Sequence, residues 1–228
     1  IYVISRNSGE GADRRCVRGD YLLFAEELQQ LRQLSIDYSK VILVLNIGAV
    51  MDLSEIRSIP GINAILLMGQ LGGTVCLALA DVLSGRMSPS GRLTDTWAKR
   101  YEDYPASASF SRNDGNVDDE YYCEGIYVGY RYFDRFRVEP LYPFGYGLSY
   151  TSFNLSHIRT DVSGSTLTIR VQVTNKGLRP GREVVQVYCS SPMNGIPKAT
   201  QSLVGFAKTR LLQPGETQTL IIEIQEKL

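Results

Sequence analysis

A run of five aliphatic residues constrains the fold of this chain more than any other feature of its sequence. Residues 41–45 read Val-Ile-Leu-Val-Leu and are followed by Asn46. An uninterrupted β-branched and aliphatic run of this length is typical of a strand that is buried on both faces, as in parallel sheets. Two further apolar runs and two helical patterns surround it: strands at residues 1–4 and 64–68, and helices at 22–34 and 75–83. Their order predicts a layered α/β sandwich with a mostly parallel sheet.

The sequence changes character near residue 150. Short segments that alternate apolar and polar residues now follow one another, separated by turns rich in Gly and Pro. This pattern predicts an antiparallel, immunoglobulin-like β-sandwich. We therefore predict an α/β domain over residues 1–147 and a β-sandwich over residues 151–228. Both are predicted to be incomplete, because the first opens directly on a strand and the second has about four to five strands where this architecture has about seven. The chain is expected to be a fragment of a larger protein.

The charge balance restricts the partners of the chain. It has 24 Lys and Arg residues and 24 Asp and Glu residues, so its formal net charge is zero. A neutral chain offers no broad basic face for nucleic acid and no basic stripe for an anionic membrane, and its apolar runs are too short to span a bilayer. The expected partner is a neutral small molecule or another protein surface.

The cysteines and the single histidine do not form a metal-binding pattern. A zinc site needs clustered Cys and His ligands, and here these residues are scattered. We predict reduced, buried thiols in a cytoplasmic protein and no metal site. The residues concerned are Cys16, Cys76, Cys123, Cys189 and His157.

The first candidate for chemistry is a carboxylate between two glycines. Residues 8–11 read Ser-Gly-Glu-Gly and follow the first predicted strand directly. Flanking glycines place Glu10 on an exposed and conformationally free turn, which suits an acid that meets a substrate. A solvated loop glutamate fits the same spacing, so the residues alone leave both interpretations open. Asp13 and Arg14 could form a local ion pair.

The second candidate is an aromatic segment bordered by acidic residues. Residues 121–133 contain six aromatic side chains, and Asp118, Asp119, Glu120 and Glu124 border or interrupt them. Aromatic faces that stack on sugar C–H groups, together with carboxylates that accept hydroxyl hydrogen bonds, are typical of sugar-binding sites. The alternative is an aromatic strand packed in a core, because part of the segment alternates like a strand.

Two other enzyme classes are disfavoured. Residues 69–73, Gly-Gln-Leu-Gly-Gly, precede a predicted helix but match no phosphate-binding fingerprint, so they indicate a tight strand-to-helix turn. Ser8 and Ser90 lie near glycines but not in a GxSxG motif. His157 is predicted to be a surface residue of a strand rather than the base of a catalytic triad.

At this level of detail the sequence resembles glycoside hydrolase family 3, the β-glucosidase-like enzymes. The match to the α/β-sandwich domain of that family covers residues 2–14 (YVISRNSGEGADR), 41–54 (VILVLNIGAVMDLS), 79–105, 124–134 (EGIYVGYRYFD) and 143–153. Its fibronectin type III-like domain is matched by residues 173–188 (VTNKGLRPGREVVQVY) and 203–216. The resemblance covers nearly the whole chain in order.

The resemblance implies a specific activity. Members are retaining, exo-acting β-glycosidases that typically release terminal β-D-glucosyl residues from oligosaccharides or glycosides, and they need no metal or organic cofactor. In many of them the general acid/base is a glutamate in an SGEG motif, which corresponds to Glu10 here. Asp13 and Arg14 belong to the same motif and are expected to bind substrate or position the loop.

The resemblance also implies a missing partner. The nucleophile of this family is an aspartate on a separate (β/α)8 barrel, and no segment of this chain corresponds to it. We therefore expect the chain alone to be inactive and to need a barrel in the same or another chain; some bacterial members place the barrel after the fibronectin-like domain. The alternative is a non-catalytic carbohydrate-binding or scaffold protein built from the same domains.

Overall fold

The computed structural model describes residues 1–7, 13–192 and 195–225. Its contacts divide the chain into two units, one formed by residues 1–76 and 95–144 and the other by residues 77–94 and 145–228. The predicted fold class, an α/β domain with a parallel sheet followed by β-sandwich-like sheets, is confirmed. The predicted domain boundary between residues 147 and 151 stays a prediction.

The aliphatic run is the central strand of the sheet in the first unit. Strand β2 (Val41–Asn46) lies between β1 (Tyr2–Ser5) and β3 (Ile62–Leu67), and both pairings are parallel. Leu43, Val44 and Leu45 are buried. Since neighbouring side chains point to opposite faces of a strand, consecutive buried residues mean that both faces of β2 are covered.

Four α-helices and two 3-10 turns complete the described helical structure: α1 (Ala25–Asp37), α2 (Ser54–Arg57), α3 (Val75–Leu83) and α4 (Tyr130–Phe136), with turns at Tyr101–Asp103 and Phe110–Arg112. Helix α1 buries Leu28 and Leu31, three positions apart on one helical face. It begins and ends three residues later than the predicted helix at 22–34.

Helix α3 is apolar and lacks buried side chains. Asp81 is the one charged residue among its nine, yet Leu77 is 71% exposed and Val82 is half-buried. Helices of soluble domains normally turn an apolar stripe towards a core. The apolar sequence of α3 therefore remains largely at the surface of the 228-residue chain.

Helix α4 corrects one prediction. The alternative of an aromatic strand is wrong for the end of the segment at residues 121–133, because Tyr130–Phe136 is a helix in which Phe133 is buried. Seven residues are too few to separate a period of 2 from a period of 3.6 by pattern alone.

The second unit contains the antiparallel sheets. Strands β4 (Phe153–Ser163), β5 (Thr166–Asn175) and β8 (Thr217–Gln225) pair in the order β4-β5-β8, and β6 (Val184–Cys189) pairs with β7 (Ser202–Lys208). Side chains of β5, β6 and β8 form one apolar cluster with Leu212 from the connection between β7 and β8; its members are Ile169, Val171, Val173, Val185, Leu212, Leu220 and Ile222. His157 lies exposed on β4, as predicted.

A fully buried asparagine organises the turns of this unit. Asn175 has 0% exposure, and its amide donates to the carbonyls of Arg179 at 2.8 Å and Leu212 at 2.9 Å. Its Oδ1 accepts hydrogen bonds from the Thr151 hydroxyl at 2.6 Å and the Gly177 N–H at 3.1 Å. All four hydrogen-bonding positions of the amide are used, which is why a polar side chain is stable there.

Two further findings concern the cysteines and the membrane. Burial was predicted for the thiols, and this is wrong for Cys76, Cys123 and Cys189, which are exposed, whereas Cys16 is half-buried. Within the described part of the chain, no helix is both long and apolar enough to span a bilayer.

Leu31→Ala should destabilise the first unit by about 2–5 kcal/mol, because it removes a fully buried side chain and leaves a cavity. Urea unfolding followed by the fluorescence of Trp97, the single tryptophan, measures this change. Ile36→Ala on the same helix is the matched control, since Ile36 is 77% exposed and its loss should cost less than about 0.5 kcal/mol. Equal effects of the two variants would contradict the packing described for α1.

Asn175→Asp should destabilise the second unit by roughly 3 kcal/mol, because the two carbonyl partners lose their donor and face a buried carboxylate. Urea unfolding followed by circular dichroism of the strands measures the loss. Asn154→Asp is the control, because Asn154 is exposed on β4. A variant as stable as the control would rule out the buried amide network.

Candidate active site

The segment that carries Glu10 starts at the carboxyl edge of the parallel sheet. Glu10 itself lies outside the described residues, as do its neighbours from position 8 to 12. Strand β1 ends at Ser5, and the N–H of Arg6 still donates to the Asn46 carbonyl of β2 at 3.2 Å. In open α/β sheets, ligand sites form at the carboxyl ends of the strands. The predicted acid/base therefore belongs to a segment that starts at the appropriate edge.

Arg14, on the other side of that segment, is held by three acceptors. Its Nε donates to Asp20 Oδ1 at 2.7 Å, its Nη2 to the Asp20 carbonyl at 2.6 Å, and its Nη1 to the Val50 carbonyl at 2.6 Å. Among the described residues Arg14 thus pairs with Asp20 and not with Asp13, whose side chain is exposed. The expected local pair of Asp13 and Arg14 does not form.

Asp20 joins this arginine to the backbone. Its second carboxylate oxygen accepts a hydrogen bond from the Arg15 N–H at 2.7 Å. Partial burial alone raises the pKa of the Asp20 carboxyl, but the hydrogen bonds from the Arg15 backbone and the Arg14 side chain outweigh it and hold the pKa below its usual value. Asp20 is therefore an anion over the ordinary pH range.

Arg6 is a buried cation with a bidentate partner. Its two terminal nitrogens donate to the Glu27 carboxylate of α1 at 2.8 and 2.5 Å, and the two side chains are 6% and 16% exposed. Glu27 also accepts the Phe24 N–H at 2.9 Å and so caps the first turn of α1. Burial alone raises the pKa of Glu27. The hydrogen bonds from Arg6 and the Phe24 N–H outweigh this effect, so the pKa of Glu27 lies below its usual value.

The ring of Phe24 fills the space beside this pair. The Arg6 guanidinium lies 5.4 Å from the centre of the ring, within the range of a cation–π contact. The tip of the ring packs against Gly19, where an added Cβ would lie 2.0 Å from the ring carbon Cζ and where φ is +86°. Both the backbone angle and the close approach require glycine at this position.

Gln70 also contacts Arg6. The turn after β3 was predicted to be a tight connection, and Gly69 indeed has φ +73° there. The Gln70 side chain donates to the carbonyl of Arg6 at 2.8 Å. The turn after β3 thus fixes the backbone of Arg6, the residue that follows β1 and precedes the Glu10 segment.

The aromatic segment divides into a packed part and an exposed part. The rings of Tyr127 and Tyr132 pack on Phe136 with centroids 5.3 and 4.9 Å apart, and Phe136 itself is 54% exposed. Tyr121 and Tyr122 are instead 60% and 83% exposed. The faces of Tyr121 and Tyr122 are therefore accessible for stacking on a sugar.

A chain of contacts links this region to the segment after Glu10. The Tyr21 ring meets Tyr104 edge-on with centroids 6.5 Å apart, and the Tyr104 ring meets Phe133 of the aromatic segment edge-on at 6.0 Å. Burial raises the pKa of the Tyr21 hydroxyl far above its usual value, so this group stays neutral. The first and second sequence candidates therefore belong to the same unit.

Sequence reasoning missed Arg6, Asp20 and Glu27. The one available signal was Glu27, three residues after the helix cap, a position typical of capping glutamates. Nothing in the spacing connects Arg6 to a partner 21 positions away. Over the described ranges, the His, Cys, Asp and Glu side chains form no group of three or more that could hold a metal ion.

Family comparison agrees with this fold. The family model described as "Glycosyl hydrolase family 3 C-terminal domain" matches residues 1–150, and the one described as "Fibronectin type III-like domain" matches residues 183–228. The chain therefore belongs to glycosyl hydrolase family 3, as the sequence resemblance indicated.

Individual relatives are β-glucosidases. The chain is 41% identical to a β-glucosidase of Ruminococcus albus, and the match covers 100% of this chain and 23% of that protein. It is 38% identical to β-glucosidase A of Butyrivibrio fibrisolvens, where the match covers 98% of this chain and 31% of that protein. Among solved structures it superposes on β-glucosidase 3B of Thermotoga neapolitana in complex with glucose, with a TM-score of 0.92 and 43% identity. The superposition covers 98% of this chain and 32% of the Thermotoga neapolitana chain. The chain thus spans between about a quarter and a third of the length of these relatives.

Glu27→Gln should lower the free energy of unfolding at neutral pH, because Arg6 is then a buried cation without a counter-charge; the loss is on the order of 3 kcal/mol. Since the pKa of Glu27 is lower in the folded chain than in the unfolded one, its contribution is present above the unfolded value of about 4.3 and is lost as the pH falls through the folded value. The stabilities of wild type and variant should therefore differ fully above the unfolded value and converge as the pH falls through the lower pKa of Glu27 in the folded chain.

Urea unfolding from pH 3 to 7, followed by Trp97 fluorescence, measures this convergence. Glu26→Gln is the matched control, because Glu26 is the exposed neighbour on the same helix and should show no pH-dependent difference of that size. A difference between Glu27→Gln and wild type that is independent of pH would show that the ion pair does not contribute as described.

Proposed function

We propose that this chain is part of a retaining, exo-acting β-glucosidase and that Glu10 is its general acid/base. Family membership supports the reaction class. The observation that carries the residue assignment is that Arg6 and Arg14, on either side of the Glu10 segment, are both held by Asp20 at the carboxyl edge of the sheet. Terminal β-D-glucosyl residues of oligosaccharides or glycosides are the proposed substrates.

Retaining hydrolysis takes two steps and two carboxyl groups about 5–5.5 Å apart. In the first step Glu10 protonates the glycosidic oxygen while a carboxylate attacks the anomeric carbon, which releases the leaving group and forms a glycosyl-enzyme. In the second step Glu10, now a carboxylate, takes a proton from the attacking water. The attack releases glucose and restores both carboxyl groups.

The charges around the segment fit a general acid. A carboxyl that must deliver a proton near neutral pH needs a raised pKa, and an unpaired arginine nearby would lower it. Arg6 is paired with Glu27, and Arg14 with Asp20. These pairs compensate the charges of the two arginines that flank the Glu10 segment in the sequence.

The nucleophile is proposed to come from a barrel domain outside these 228 residues. The chain covers only 32% of the Thermotoga neapolitana enzyme, which leaves room for such a domain. We propose that the chain is inactive without it. The partners of the complete protein are thus a glycoside substrate and a (β/α)8 barrel in the same or another chain.

Glu10→Gln in the complete protein should lower kcat/KM by about 10²- to 10⁴-fold for substrates with poor leaving groups, because an amide cannot donate the proton. Aryl glucosides with acidic phenols need little protonation and should lose much less in their first step. Azide needs no general base and should accelerate the second step of the variant while giving glucosyl azide of retained configuration. Kinetics over a series of leaving groups measure these effects.

The control for this experiment is Glu26→Gln, which removes an exposed carboxylate and should leave the leaving-group series unchanged. A loss in Glu10→Gln that is the same for every leaving group would contradict the assignment. Assays of the chain alone and joined to a family 3 barrel test the split site. A folded joined form that binds glucosides without hydrolysing them would favour the carbohydrate-binding or scaffold alternative.

A further inference from the structure

Both ends of the segment that carries Glu10 meet at one residue. On the incoming side, Arg6 Nε donates to the Asp20 carbonyl at 3.2 Å. On the outgoing side, Arg14 donates to the same carbonyl at 2.6 Å and to the Asp20 carboxylate at 2.7 Å. Two cations separated by seven residues therefore share one acceptor residue.

The meeting point is fixed to the rest of the sheet. Arg14 also donates to the Val50 carbonyl at 2.6 Å, and the N–H of Asp52 donates to the Tyr21 carbonyl at 2.9 Å; both contacts lie on the connection that follows β2. Arg6 is bound to Glu27 at the start of α1. Through Arg6 and Arg14, Asp20 is thus connected to the residue that follows β1, to the connection after β2 and to the first turn of α1.

We propose that Asp20 is a positioning residue for Glu10: it ties the two ends of the acid/base segment together and neutralises Arg14 beside it. This inference rests on the proposed function. Fixing both ends of a short segment reduces the conformations open to it. Proton transfer requires hydrogen-bond distance to the glycosidic oxygen, and a displacement of about 1 Å costs about 10²-fold in rate.

Neutralisation of Arg14 is the second part of this role. The charged groups around the Asp20 carboxylate are Arg14 and Arg6, and Arg6 has its own partner in Glu27. Without the Asp20 charge, Arg14 is an uncompensated cation four positions from Glu10. A cation without a counter-charge stabilises a carboxylate near it and lowers the pKa of that acid, and the proposal is that Glu10 is the carboxyl affected.

Asp20→Asn in the complete protein should therefore have two effects that loss of stability alone does not produce. First, kcat/KM should fall about 10- to 100-fold for poor leaving groups and less than about 5-fold for acidic phenols, because acid catalysis is what weakens. Second, the basic limb of the pH profile of kcat/KM should move to lower pH, because Glu10 loses its proton earlier. Arg14→Lys keeps the cation but loses the forked contacts, so it should reproduce the first effect without the second.

Glu216→Gln is the matched control. Glu216 accepts a hydrogen bond from Arg210 at 2.6 Å and from the Gln213 N–H at 2.8 Å, and its side chain is 33% exposed compared with 29% for Asp20. It lies in the second unit, so its loss should change neither the leaving-group series nor the pH profile. Thermal unfolding of all variants is measured in parallel.

The outcomes separate this inference from the proposed function. A leaving-group dependence in Glu10→Gln but none in Asp20→Asn would overturn the role of Asp20 and leave Glu10 in place. A uniform loss in both variants would overturn the proposed function. If Asp20→Asn does not fold, Asp20→Glu replaces it, because this variant keeps the charge on a longer side chain. Its pH profile should keep the basic limb of the wild type, while kcat/KM falls for poor leaving groups. An unchanged leaving-group series in Asp20→Glu would count against the inference.

Discussion

The parallel pairing of β2 with both of its neighbours is the constraint on which the rest of the first unit depends. Parallel strands end at the same edge of a sheet, so the segments that follow β1 and β2 start side by side. The hydrogen bond from Arg6 to Asn46 continues the ladder one residue beyond β1. Burial of β2 on both faces thus determines where the polar residues of the candidate site can meet.

Once the strands are in place, electrostatics decide how the polar residues are arranged. A guanidinium as buried as that of Arg6 is stable only with a well-oriented counter-charge, which Glu27 provides through two parallel hydrogen bonds. Arg14 is satisfied instead by a carboxylate and two backbone carbonyls. The two arginines are therefore structural cations whose charge is already compensated.

The sequence predicted the strands whose burial is visible in the order of apolar and polar residues. The run at 41–45 and the alternating segments after residue 150 each indicate one kind of strand, because burial on two faces or on one leaves a direct trace in the order of residues. The strand alternative for the aromatic segment was wrong at α4, because seven residues are too few to separate a period of 2 from a period of 3.6. The network around Asp20 left no such trace, since its members lie 6 to 14 positions apart and meet only through side-chain geometry. Glu10 was singled out by its glycines and by family resemblance, and its role stays a prediction.

The exposed apolar surface of α3 has a consequence for how the isolated chain behaves in solution. Leu77 and its neighbours on α3 expose apolar surface to water. Exposed apolar surfaces of two molecules associate through the hydrophobic effect when they come into contact. Long-range repulsion normally opposes this, but the formal net charge is zero. Colloidal stability near neutral pH should therefore be low and nearly independent of ionic strength. Additives that weaken apolar contacts, rather than changes in salt, should govern how concentrated the isolated chain can become before it self-associates.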